Sequence, residues 1–278
     1  MEAEIKIRVS PFHWLRQRVF LFRSPWRDII LYIVMVVVLI WLMSISTSRL
    51  RYPWQWYRIP RYLFRIEERR LVAGKLIQGL LFTFRISGIS LVLAFAIGLV
   101  TALIRLSGSF MGRILSRTYL ETIRNTPLVV QIYLMYFVVG PVLGLGPFAS
   151  AVLALSLFEG VYLSEIFRGG IVSLHKGQWE AAYSLGLSTF NTYRDVILPQ
   201  VIRRMLPPFV NQVISLFKDS ALVSIISLGD LAFQARVVAA DTFLTFEVWF
   251  TAAAIYLVIA LTLSTVVNYM EKRLKVLT

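Results

Sequence analysis

The 278 residues contain no cysteine. Disulfide scaffolds and thiolate metal sites are excluded, while the compartment stays open on this ground. Histidine is scarce too: His13 and His175 stand far apart, and no His-Glu-x-x-His pair occurs. No Gly-x-x-x-x-Gly-Lys-Ser/Thr loop is present, so the chain does not bind ATP through a P-loop. A Gly-x-Ser-x-Gly elbow is also missing. These absences argue against an intrinsic catalytic centre. Charge is sparse, at 16% of residues.

What fills the chain is apolar. Hydrophobic residues make up 58% and the mean hydropathy is +0.71. A soluble domain of this size has too little interior for that surface, so an all-α integral membrane protein is expected. Apolar runs long enough to span lie near 28–47, 77–104, 118–143, 149–168, 207–229 and 244–269, about six spans. Gly140-Pro141 through Gly146-Pro147 reads as a tight turn. Pro207-Pro208 reads as the start of the fifth helix. The net charge of +14 fits Lys and Arg in cytoplasmic loops facing anionic lipid, rather than nucleic acid. Lys6, Arg8, Arg16, Arg18, Arg23 and Arg27 precede the first run like a signal peptide, but Ser44-Ile-Ser46 is a poor cleavage site. An uncleaved membrane helix is expected.

Residues 48–76 interleave Arg49, Arg51, Arg58, Arg61, Arg65, Arg69 and Arg70 with Tyr52, Trp54, Trp56, Tyr57, Tyr62 and Phe64. That mixture suits an interfacial helix along the headgroups. With the N- and C-termini cytoplasmic, the inside loops hold Arg105, Arg113, Arg117, Arg168, Lys176, Arg194, Arg203, Arg204, Lys272, Arg273 and Lys275. The outside loops near 144–148 and 230–243 carry only Arg236, in keeping with the positive-inside rule. The basic segment 48–76 falls outside and breaks that rule. Two explanations are open: an extra first helix whose orientation is overruled by the other five, which is preferred, or a first segment that lies along or dips into the membrane without spanning it.

The block between the fourth and fifth spans is polar and therefore cytoplasmic. Gln178 to Leu187 forms a short helix with Glu180 in its first turn. Ala181 and Ala182 let a partner approach closely. Gly186 ends the helix in a conformation that only glycine adopts cheaply. Ser188 or Thr189 caps a second helix to about Leu198, which Pro199 breaks. Two short helices at an angle make a rigid knob.

The spacing Glu180-Ala181-Ala182, Gly186, Val196, Leu198-Pro199 resembles the EAA loop of permease subunits of binding-protein-dependent ABC importers. Its one departure is Val196, where Ile is more usual. Arg124-Asn-Thr-Pro127-Leu-Val-Val-Gln131, Glu165-Ile-Phe-Arg168-Gly169-Gly170-Ile171 and the stretch Asn211 to Leu222 are similar to signatures of polar amino acid permeases. Asn125 and Ala221 depart from them. The resemblance covers about 77–275 and implies a type I importer transmembrane domain of five core helices. Residues 1–76 are then an N-terminal extension carrying one extra membrane helix (28–47). The resemblance further implies a second permease subunit (identical or related), two copies of an ATP-binding subunit and an extracytoplasmic substrate-binding protein in a bacterial cytoplasmic membrane. No cofactor is expected in this chain, since ATP and Mg belong to the partner ATPase.

Ionisable groups at helix centres cost ~2.5 kcal/mol or more, so each needs a reason. Arg85, Arg124, Glu159, Glu165, Lys218 and Asp219 are the candidates for a substrate pathway. A zwitterion needs a cation and an anion, which Lys218 and Asp219 offer, though about 100° apart on a helix. Glu121 and Arg124, three residues apart, are expected to pair. Ala94-Phe-Ala-Ile-Gly98 reads as helix packing. A secondary amino acid transporter or channel, using these charges as an ion relay, is the alternative. It leaves the EAA spacing unexplained.

Overall fold

The computed structural model describes residues 25–50, 52–67 and 70–275. They fall into two compact units divided between Trp54 and Gln55, each described by itself. In the first, helix α1 (Pro25–Leu50) covers the apolar run expected at 28–47. Proline suits its first position, where no intrahelical donor is needed, and Asp28 complements the dipole. Its apolar side chains from Trp26 to Leu42 are nearly all exposed, right around the helix. Lys6, Arg8, Arg16, Arg18 and Arg23, and with them the expected cytoplasmic N-terminus, lie outside the described residues, as do Arg51 and Arg69.

The second unit does not open with the expected interfacial helix. Short turns at Trp56–Arg58 and Pro60–Leu63 lead into antiparallel strands β1 (Phe64–Glu67) and β2 (Arg70–Ala73), with Phe64 opposite Ala73. Pro53 and Pro60 withhold the donors a continuous helix needs. Phe64-Arg65-Ile66-Glu67 alternates apolar and charged with the period of a strand. Ile59 is buried against Leu76, Leu231, Val238 and Leu244, and Gln55 N–H donates to Glu247 Oε1 at 2.7 Å. The chain from Gln55 thus packs with the body, and 76/77 is not a packing boundary.

The body comprises α2 (Lys75–Leu106), α3 (Phe110–Arg124), α4 (Leu128–Leu143), α5 (Pro147–Val172), α6 (Gly177–Ser184), α7 (Thr189–Ile226), α8 (Leu231–Thr242) and α9 (Thr245–Lys275). Among the described residues α2, α5, α7 and α9 are each long and apolar enough to cross a membrane. The run 118–143 is not one straight span. It is the bent pair α3–α4, whose axes differ by 106°. Pro127 disfavours helix at Thr126, and the Gln131 amide secures the bend by donating to Ile123 O (2.8 Å) and Thr126 O (3.0 Å).

Helices α2 and α5 form the central seam. A Cβ on Gly98 would lie 2.8 Å from Leu163 Cβ and 3.0 Å from Gly160 O, and one on Gly160 would lie 2.9 Å from Ile97. Ala94 is fully buried beside them, as the small-residue spacing predicts. Ser156 Oγ donates across the seam to Ser90 O at 3.2 Å. Ile86, Ala151, Leu155, Leu128, Ile132, Leu216 and Val223 build the adjoining core.

The prolines behave differently from the sequence rules. Gly140-Pro141 continues α4, and the turn narrows to Gly144 (φ +67°) through Gly146. Pro199 does not break a helix, and Pro207-Pro208 lies inside α7 rather than starting it. Pro141 and Pro199 each follow a six-residue π segment, Leu134–Val139 and Thr192–Ile197. The residue just before each proline closes the last wide turn: Gly140 N–H donates to Met135 O, and Leu198 N–H to Tyr193 O. A proline ring normally collides with the carbonyl four residues back. A wide turn immediately ahead of it offsets that register and lets the helix continue. The expected loop at 230–243 is mostly helix α8. Asp230 caps it by accepting from Ala232 N–H (3.0 Å) and Phe233 N–H (3.2 Å), and Phe243 (φ +59°) ends it.

Gly98→Leu is expected to cost about 1–3 kcal/mol through overpacking and to lower the melting midpoint in detergent. Gly88→Ala, with nothing within 4 Å of the new carbon, should leave the midpoint unchanged. Burial raises the Asp230 carboxyl from its usual 3.8 to about 6. The folded chain then holds this proton more tightly than the unfolded chain. The contribution favours folding at pH below about 4 and is lost as pH rises through about 6. Asp230→Asn should flatten the midpoint between those values.

Candidate functional site

Three polar groups stand out, and the first is the knob. Helix α6 ends in a paired cap: Leu187 N–H donates to Ala182 O (3.2 Å) and Gly186 N–H to Tyr183 O (2.9 Å). This Schellman arrangement requires a left-handed residue at its next-to-last position, and Gly186 takes φ +74° with open space where a Cβ would be. The glycine is therefore demanded by the backbone rather than by crowding. Ser188 Oγ accepts from Asn191 N–H at 3.3 Å and starts α7, as expected. Ala182 is buried in the chain's own fold, so it anchors the knob rather than offering a surface to a partner. Leu174, Ile197 and Val201 pack beneath, with Trp179 and Val196 around them. Gln200 Nε2 joins the knob's two halves by donating to Gln178 Oε1 (2.9 Å), and Arg204 Nη1 donates to Ser173 O (2.8 Å). Glu180, Ala181, Leu198 and Pro199 are exposed, with Tyr183, Leu185, Phe190 and Tyr193 beside them. Apolar side chains exposed together on a braced polar block form the kind of patch that contacts other molecules or membranes.

The second group lies among α5 and α7. Glu159 is buried and its Oε2 accepts from Gln212 Nε2, while its Oε1 has no hydrogen-bond partner among the described residues. Asp219 is near enough to act electrostatically on Glu159, and Lys218 on Asp219. Lys218 itself is exposed. Two carboxyls and an amide thus meet between facing helices, with the exposed Lys218 next to Asp219 in the chain.

The third group sits where α2, α3 and α5 come together. Glu165 Oε1 accepts from Arg105 Nη1 (2.8 Å) and pairs with Arg124 Nη2 (3.2 Å), while Oε2 accepts from Arg168 Nη2 (3.0 Å) and Nε (3.1 Å). Glu121 does not pair with Arg124. Its Oε2 accepts from Asn125 Nδ2 at 3.2 Å instead. Arg124 instead makes a single contact with Glu165, a less exposed carboxylate shared by three guanidiniums, in place of an exposed i,i+3 pair.

Of the sequence candidates, Arg124 and Glu165 come together, as do Glu159 and Asp219, while Lys218 beside Asp219 is exposed. Arg85 joins neither: it is exposed on α2 with its guanidinium 5.2 Å from the Phe148 ring centre. Arg105, Arg168 and Gln212 were not singled out as pathway candidates. The i,i+3 spacing of Glu165 and Arg168 was the available signal.

Residues 72–276 match the model of the binding-protein-dependent transport system inner membrane component. The chain belongs to that family. Over 205 residues it is 38% identical to the glutamine transport system permease protein GlnP of Escherichia coli (strain K12), covering 73% of this chain and 94% of that one. It is 38% identical over 200 residues to the L-cystine transport system permease protein TcyB of Bacillus subtilis (strain 168), covering 70% and 85%. The crystal structure of an amino acid ABC transporter with histidines shares 36% identity at a TM-score of 0.66, over 72% of this chain and 94% of the other. The inward-facing MetNI methionine ABC transporter, at 15% identity and a TM-score of 0.59, carries the fold alone. This permease component therefore has the all-α architecture of type I ABC importers in its body, and it resides in the inner membrane.

Glu165→Ala should lower the melting midpoint clearly, because it leaves three crowded guanidiniums without their shared counter-ion. Glu121→Ala, which removes one exposed bond, should shift it little. A thermal scan of both variants in the same detergent checks this.

Proposed function

We propose that this chain forms, with a second permease subunit, the pathway of an importer for a polar amino acid. Two copies of an ATP-binding subunit supply the energy, and an extracytoplasmic binding protein delivers the cargo. Both termini are cytoplasmic, which keeps the arginine-rich end of the bundle and the knob on the side where ATP is found.

The observation that carries the reading is the knob: a backbone-determined block with an exposed aromatic surface, on a chain whose sequence has no P-loop. Closure of the ATPase dimer pushes on Glu180, Ala181 and the exposed ring of residues beside Gly186. Because Ala182, Gln200 and Arg204 fix the block to α5 and α7, that push moves helices rather than bending a loop. The pathway then alternates between two arrangements, one favoured by ATP and the other by the empty transporter. The amino acid cargo follows from the relatives, which carry glutamine and cystine by name. In the pathway, Glu159 and Asp219 face the cargo's ammonium; Lys218, about 100° round the helix from Asp219, points elsewhere.

Gly186→Asp is expected to retain assembly and ATP hydrolysis while losing at least tenfold in uptake by reconstituted vesicles, since a β-carbon in the left-handed region strains the cap. Full coupled uptake by the assembled variant overturns the reading, as does wild-type uptake driven by an ion gradient without the ATPase. Glu159→Gln should reduce uptake more than basal ATP hydrolysis, measured on the same vesicles.

A further inference from the structure

The group around Glu165 carries more positive charge than its ion pairs use. A cleft of about 420 Å³ is lined by Arg105, Arg113, Arg117, Arg124 and Arg168, against Glu121 and Glu165 only. Five guanidiniums against two carboxylates leave a surplus of three positive charges. Glu165 is already shared by three of the arginines. Among the described residues no carboxylate pairs with Arg113 or Arg117.

Placement on α3 makes the surplus directional. Arg113, Arg117 and Arg124 recur at the helical repeat and share the face turned to the cleft. Like charges four residues apart repel, so this stripe needs a counter-anion. The opposite face of α3 shows Met111 and Leu115, both exposed, with exposed Ile114 on the flank between the two faces. A helix with an apolar face outward and an arginine face over a cleft lies at the boundary of acyl chains and headgroups. Guanidinium forks match phosphate oxygens in pairs, which makes arginine the residue suited to a phosphodiester.

We propose that this cleft binds the phosphate headgroup of an anionic phospholipid, whose acyl chains lie against the outward face of α3. The proposal rests on the orientation given above only for the leaflet, which is the cytoplasmic one. It is independent of the cargo. The occupant relieves the repulsion along α3 and ties α3 to the ends of α2 and α5. Basic clefts between membrane helices on the cytoplasmic side hold acidic lipids in this manner.

The test uses the complete transporter, delipidated in detergent and exposed to vesicles of phosphatidylglycerol or phosphatidylcholine, with retained lipid measured by mass spectrometry. Wild type should retain phosphatidylglycerol at least fivefold over phosphatidylcholine, and its melting midpoint should rise with the phosphatidylglycerol fraction. Arg113→Gln with Arg117→Gln should lose most of that preference. Arg203→Gln, a basic residue outside the cleft lining, should keep it. Equal retention of both lipids by wild type overturns the proposal whether or not the double variant folds. So does an unchanged preference in the double variant. A midpoint rise produced by inorganic phosphate in pure phosphatidylcholine would move the site from lipid to free anion and overturn it as well. Retention is read without transport, so a wrong cargo leaves the result intact.

Discussion

The body is organised around one close contact between α2 and α5, where Gly98 and Gly160 leave no room for a β-carbon. Between membrane helices there is little gain from hiding apolar surface, because lipid is as apolar as leucine. Association depends on close packing and on a few polar contacts, and glycine is what brings two backbones near enough. Ser90 and Ser156 use the same proximity to exchange a hydrogen bond across the seam. The core of α4 and α7 residues then builds against a rigid pair. Each polar group described above includes a residue of α2 or α5, or braces against one.

Much of the candidate site was legible because its signals are local. A Schellman cap fixes the distance between a helix and its glycine, so the spacing from Glu180 to Gly186 reports a backbone conformation directly. Ser188 as a cap is equally local. The small residues at 94 and 98 were readable too, since the helical repeat places them on one face.

What escaped notice depended on neighbours that the sequence does not place. Pro199 and Pro207-Pro208 signal helix ends by every local rule, yet α7 runs through them, and the π segment ahead of Pro199 leaves no compositional mark. The abundance of arginine and aromatic rings in 48–76 hid the two-residue alternation of its strands. Glu121 and Arg124 are well spaced for each other, but Glu165 arrives from another helix and draws Arg124 into a cluster of three arginines. Arg105 and Arg168 looked like ordinary charges at helix ends, and only the meeting of three helices gathers them on one carboxylate.

The continuity of α7 has a mechanical consequence. From the capping serine of the knob to Asp219 the chain makes no turn, a distance of ~45 Å at the usual helical rise. The surface proposed for a partner and the carboxyls proposed for a cargo thus sit on opposite arms of a single lever. Its softest point is Pro207-Pro208, where two missing donors leave the carbonyls of Arg203 and Arg204 without their helical bonds. A small rotation applied at the knob either swings the far arm or is absorbed at that joint. The stiffness of two prolines therefore sets how much of any motion at the knob reaches the Asp219 end of α7.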